Sequence, residues 1–138
     1  MKNALISILC LLLAISVFAQ DKPINIVFDV TSADPATHQS AMRHVNIMAS
    51  NYPDAQFEVV LYSGSVDMAL KDKSTVAKEI ASFADNENVS FKVCAMTLKR
   101  KKIDKSELID NFDVVPDGIL EIVTKQSQGW GYIKESHK

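Results

Sequence analysis

The chain is poor in the residues on which many catalytic motifs depend, with four glycines, four prolines, three histidines, two cysteines and one tryptophan among 138 residues. So few glycines leave no glycine-rich phosphate loop and no G-x-S-x-G nucleophile elbow. His38, His44 and His137 share no metal-ligand spacing with one another or with Cys94, and neither H-E-x-x-H nor C-x-x-C occurs, so neither a metal nor a cofactor is expected. A basic surplus is lacking too. Fifteen Lys and Arg face seventeen Asp and Glu, which removes the electrostatic basis for binding nucleic acid or an anionic membrane surface. No internal repeat, low-complexity tract or linker divides the sequence.

What is present begins with a leader. Lys2 precedes an apolar run through Leu5, Ile6, Ile8, Leu9, Leu11, Leu12, Leu13 and Ile15, and Val17 and Ala19 occupy the minus-three and minus-one positions before Gln20. That pattern predicts a secretory signal peptide over residues 1–19, too short for a comfortable spanning helix of about 20 apolar residues. Cys10 sits inside the apolar run behind Leu9, where a lipid-attachment site wants a small residue. The expected product is one domain over residues 20–138, periplasmic or secreted, with no membrane attachment once the leader is gone. An oxidising compartment usually pairs structural cysteines, yet Cys94 is left alone. It is an inert buried thiol, a reactive thiol, or half of an intermolecular disulfide.

The elements read as an alternation of strands and helices. Ile24–Val30 carries β-branched and aromatic residues on both faces, as a strand covered on each side does. Asp34 and Pro35 then supply an N-cap and a first-turn proline for a helix with Ala41, Met42, Val45, Met48 and Ala49 at helical spacing. Phe57–Tyr62 is a second strand, stopped at Ser63, Gly64 and Ser65, with a short helical turn through Val66, Met68, Ala69 and Leu70. A longer helix is expected from Ser74, with Val76, Ile80, Phe83 and Ala84 on one face. Val89–Cys94 is a third strand. Lys99–Lys102 reads as a basic turn, Asp104–Asp110 as a short helix, and Val114 and Val115 as a brief apolar element. Asp117 caps a helix bearing Ile119, Leu120, Ile122 and Val123, and Trp130–Ile133 is a last strand. Such an order predicts parallel βαβ units with right-handed crossovers in a three-layer α/β sandwich.

Alternation along the third strand puts Val89, Phe91 and Val93 on one face and Ser90, Lys92 and Cys94 on the other. Cys94 therefore ends its strand on the polar face, at the carboxyl edge where open α/β sheets bind ligands. If the chain turns helical at Ala95, Met96 and Thr97, the unpaired N–H groups there favour a thiolate, the nucleophilic form. Lys99 and Arg100 would add positive charge within one or two turns. Gly64 and Ser65, after the second strand, would line the same crevice if the strands are parallel. Two functions fit: a thiol-based sulfur-handling or redox role through Cys94, or a non-catalytic module that binds a small ligand or partner and uses Cys94 structurally.

Several stretches together resemble the DsrE/DsrF-like sulfur-relay family, including its YchN-like members. They are the strand ending at Leu61, Tyr62, Ser63 and Gly64, the strand ending at Cys94 with Ala95, Met96, Thr97 and Leu98 after it, and the closing segment. That segment runs from Val115, Pro116, Asp117, Gly118 and Ile119 to Gln128, Gly129, Trp130, Gly131, Tyr132, Ile133 and Lys134. The resemblance implies a mainly parallel sheet of about five strands, a homo-oligomer such as a trimer or hexamer, and a persulfide-bearing cysteine to which Cys94 corresponds, with a small sulfur-containing molecule as ligand. The sequence departs from the family in having Ala95 where glycine is common, and in its leader, since known relays work in the cytoplasm.

Overall fold

The computed structural model describes residues 24–136, so the expected signal peptide over 1–19, with Cys10, and His137 lie outside the described residues. Five strands form one parallel sheet: β1 (Ile26–Val30), β2 (Phe57–Leu61), β3 (Val89–Cys94), β4 (Phe112–Val115) and β5 (Gly131–Glu135), in the order β4-β3-β2-β1-β5. The α-helices are α1 (Pro35–Asn51), α2 (Ala77–Ala81), α3 (Ala95–Lys101) and α4 (Gly118–Ser127).

Crossover handedness explains the layers. From β1 to β4 the chain steps across the sheet in one direction, so right-handed crossovers put their helical segments on one face. The connection from β4 returns across the sheet to β5 beside β1, which puts α4 on the opposite face. On the first face Phe28, Val30, Phe57, Val59, Leu61, Phe91 and Val93 form the main core with Val45 of α1, Ile80 of α2 and Leu98 of α3. On the second, Val27, Val60 and Ile122 make a much smaller cluster with Tyr62 and Trp130 against it. β1 and β2 are buried throughout, each apolar but for one acid, Asp29 in β1 and Glu58 in β2.

Local signals set the helix ends. Asp34 accepts the Ala36 N–H at 3.0 Å ahead of Pro35, and Asp117 accepts the N–H groups of Ile119 and Leu120 at 2.9 and 3.3 Å. The helix expected from Ser74 is shorter than its periodicity suggests, because α2 spans only Ala77–Ala81. Val76 has non-helical φ of −127°, and the preceding chain is taken up by a turn at residues 71–73, where the Lys73 and Ser74 N–H groups donate to the Leu70 carbonyl at 3.2 and 2.9 Å. Residues Ser63–Ala69 and Lys105–Glu107 are 3-10 turns. The basic stretch expected as a turn belongs to α3, which stops where Lys102 takes left-handed φ of 56°.

Candidate functional site

The connections leaving β3 and β4 diverge to opposite faces of the sheet, and the crevice between two such strands is where this kind of fold binds ligands. Cys94 closes β3 at that point, paired in register with Val115 of β4. Three residues after Val115, α4 begins at Gly118. Extending the β2–β3 register by one residue places Tyr62 beside Cys94, on the same face of the sheet.

Gly118 brings α4 close to the sulfur. A Cβ at that position would stand 3.2 Å from Cys94 Cβ and 3.4 Å from Tyr62 Cβ and Cδ1, so space rather than backbone angle demands glycine here. Its N–H, with the Met96 and Thr97 N–H groups of α3 and the Thr97 hydroxyl, favours a thiolate at Cys94. Burial pushes the thiol up, but these four donors, led by Gly118, outweigh it and hold the thiol below its ordinary value. Thr97 is itself fixed: it is buried, and its Oγ1 accepts the Ser63 N–H at 3.1 Å, which leaves its own proton for the sulfur. Ser63 makes that bond from left-handed φ of 62°, an uncommon conformation for a residue with a side chain.

The residues singled out in sequence divide into two groups. Cys94, the Met96 amide and Thr97 come together, with half-buried Ala95 between the thiol and those amides. Cys94 is less open than its polar face suggested, at 5% exposure, because the start of α4 packs on it. Gly64 and Ser65 support the fold instead of lining the crevice. A Cβ on Gly64 would lie 3.0 Å from Ala33 N and Thr31 O, while Ser65 Oγ donates to the Val30 carbonyl and accepts the Tyr62 N–H at 3.1 Å. Lys99 and Arg100 occupy the last turn of α3, exposed, where their charge complements the helix C-terminus and the sulfur lies at the other end. The Met96 side chain is exposed, and only its N–H serves the thiol.

Sequence reasoning missed the contribution of Gly118 to the thiol, although a glycine directly after the Asp117 cap is a signal, because glycine weakens a helix by about 1 kcal/mol and so marks close packing. It also missed a buried polar cluster on the same face. Asp29 in β1 is 4% exposed; Tyr132 donates to Oδ2 at 2.7 Å, Tyr62 to Oδ2 at 3.4 Å, and Lys134 to Oδ1 at 3.0 Å. Its hydrogen bond, then burial and charge, push the Tyr132 phenol up to about 12. Burial, the Asp29 charge and bond, and Cys94 raise Tyr62 as well. Both phenols are therefore donors at neutral pH. Among the described residues, no group of three or more His, Cys, Asp or Glu side chains is placed to hold a metal ion, and no helix is long and apolar enough to cross a membrane.

Comparison with known proteins agrees with this architecture. The solved structure of a protein of unknown function from Methanobacterium thermoautotrophicum superposes with a TM-score of 0.75 at 27% identity, covering 80% of this chain and 98% of that one. No curated protein matches the sequence. The family model described as DsrE/DsrF-like matches residues 25–134, nearly all of the sheet with its strand-end thiol, and the chain belongs to the DsrE/DsrF-like family.

Proposed function

We propose that the protein is an exported, thiol-based sulfur carrier in which Cys94 is the nucleophile. The observation that carries this reading is the close packing of Gly118 on Cys94 at the end of β3, beside the start of α3, where the Gly118, Thr97 and Met96 N–H groups and the Thr97 hydroxyl lower a thiol that burial alone would raise. Membership of a family associated with sulfur relay supports the same chemistry.

In the proposed step the Cys94 thiolate attacks the outer sulfur of a donor persulfide. A new S–S bond forms at Cys94, the S–S bond of the donor breaks, and the donor leaves as a thiolate. The proton of the outer sulfur stays with it or passes to solvent, so no external oxidant or reductant is required. The Gly118, Met96 and Thr97 donors stabilise the attacking thiolate. With Cys94 only 5% exposed, the donor sulfur must reach it end-on, which favours a slender persulfide over a bulky one.

The leader over residues 1–19 supports a periplasmic or secreted setting, with a donor found outside the cytoplasm. Assembly into a homo-oligomer is also part of the proposal, supported by exposed Ile119, Leu120 and Val123 along the outer side of α4 and by exposed Met96 near its start. Mass spectrometry of the native protein, purified without reductant from its own compartment, tests the central claim. A mass increment of one or more sulfur atoms on the Cys94 peptide, lost on reduction and missing in Cys94→Ser, is the expected result. An unmodified thiol that also resists persulfide donors in vitro would leave the non-catalytic binding module as the better reading.

A further inference from the structure

We propose that Glu58 and Glu121 share one proton beneath α4, and that this bond makes Glu58 a positioning residue that keeps the Gly118 amide on the Cys94 sulfur. The inference deepens the reading of Cys94 as the working thiol and rests on it.

Glu58 lies in the middle of β2, flanked by Phe57 and Val59, and its side chain is 2% exposed. Its neighbours in register are Val27 of β1 and Ser90 of β3. Oε2 is well served, 2.9 Å from Lys125 Nζ and accepting the Ser90 hydroxyl at 3.3 Å. Oε1 is fully buried without a donor. A buried oxygen without a partner costs about 1–3 kcal/mol, so a persistent one calls for an explanation.

Glu121 supplies it. Its carboxylate lies 3.7 Å from the same Lys125 ammonium that pairs with Glu58 at 2.9 Å, so the two acids meet around one cation. Two carboxylates and one ammonium cannot all be charged cheaply in so buried a place. If Glu58 keeps its proton, Oε1–H donates to Glu121, Oε2 accepts from Lys125 and Ser90, and no buried polar atom is left over. Burial, opposed by Lys125 and reinforced by Glu121, raises Glu58 in the matching direction. The remaining charges nearby are accounted for: Lys92 of β3 pairs with Asp113 of β4 at 2.6 Å, and Lys125 also stacks 4.5 Å over Trp130.

The link to the thiol is mechanical. The apolar cluster on this face is small, with Ile122 the α4 residue in it, so the polar bonds of Glu121 and Lys125 carry much of the docking of α4. The first residue of that helix is Gly118. If α4 lifts, the leading donor on Cys94 withdraws.

The sign of the pH effect follows from the raised acid. The folded state holds the Glu58 proton more tightly than the unfolded chain, so its contribution is complete below the ordinary glutamate value of 4.5 and is lost as the pH climbs through the raised value. The experiment compares wild type with Glu58→Gln, Glu58→Val and Glu121→Gln in full-length protein, by urea denaturation from about pH 5 to pH 8 and by the rate of Cys94 alkylation with iodoacetamide. Glutamine at position 58 mimics the protonated acid, so its stability should fall less than wild type over this range. Glu121→Gln removes the like charge and should flatten the curve as well. At neutral pH Glu58→Gln should alkylate at the wild-type rate, and Glu58→Val roughly threefold more slowly, the size of a weakened helix-end contact. Equal pH slopes in wild type and both glutamine variants would overturn the shared proton. A folded Glu58→Val with wild-type alkylation would overturn the positioning role, and if that variant does not fold, wild-type alkylation in Glu121→Ala, which removes the same contact from the α4 side, would do so. None of these readouts depends on whether Cys94 carries sulfur in its own compartment, so failure here and failure of the carrier reading can be told apart.

Discussion

On one face of the sheet Phe91 packs between Phe83 and Phe112 at centroid distances of 6.1 and 5.5 Å, inside a continuous apolar core built with α1, α2 and α3. On the other face the same strands carry Asp29, Glu58, Lys92 and Cys94, of which Glu58 and Cys94 meet α4 while Asp29 and Lys92 pair with Lys134 of β5 and Asp113 of β4. Strand geometry makes this possible, because successive residues point to opposite sides and one strand can serve both faces independently. The first face supplies the hydrophobic free energy of folding. The second uses that rigidity to hold polar groups in positions that would not persist in a looser setting.

Substitutions can break this division of labour. Phe91→Ala removes a ring 2% exposed at the centre of the first face and should lower stability by about 3–5 kcal/mol in urea denaturation. The folded fraction should nevertheless alkylate at the wild-type rate, and a marked loss of reactivity would show the faces to be coupled. Gly118→Ala, on the second face, should do the reverse. Its Cβ crowds Cys94, so iodoacetamide alkylation should slow about fivefold, the worth of one hydrogen bond. Stability should shift by less than about 1 kcal/mol, since alanine favours the helix by a similar amount.

Smaller effects sharpen the comparison. Thr97→Val deletes a hydroxyl between Ser63 and Cys94 and should slow alkylation about threefold, while Thr97→Ser keeps it near wild type. A serine variant as slow as valine would mean that the methyl packing matters and the hydroxyl does not. The slightest effect belongs to Tyr132, whose phenol, raised to about 12, should keep its proton well above the ordinary value of 10. The folded state then loses stability as the pH rises from 10 toward 12, and ultraviolet titration should show less tyrosine ionising near pH 10 than in Asp29→Asn, which releases Tyr132 and lowers Tyr62 as well.

Legibility from sequence differed between the faces for the same reason. The first face follows from apolar periodicity, and the polar side of Val89–Cys94 follows from alternation, so the place of Cys94 at a strand end could be read directly. Gly118 could be read as a helix start but not as a thiol ligand, because its approach to Cys94 depends on α4 crossing from one edge of the sheet to the other. The basic run misled. Lys99 and Arg100 are near Cys94 in sequence, yet a helix carries successive residues away at about 1.5 Å each. Gly64 and Ser65 sit on the expected edge but turn inward to the end of β1. Glu58 was a missed signal, a lone acid inside an apolar strand that burial makes expensive unless it is paired.

The sequence by itself determined the α/β class, the parallel strands, the capped helices and the face and strand end on which Cys94 stands, since these depend on contacts and periodicities a few residues long. Only the tertiary structure decided what surrounds the sulfur. Gly118 packs on it from α4 and Ser63 braces Thr97 beside it, both from segments distant in the chain, and the return of α4 over the sheet brings Lys125, with Glu121 beside it, onto Glu58. Those encounters are fixed by crossover handedness and close packing, which act on whole elements and leave no mark at any single position.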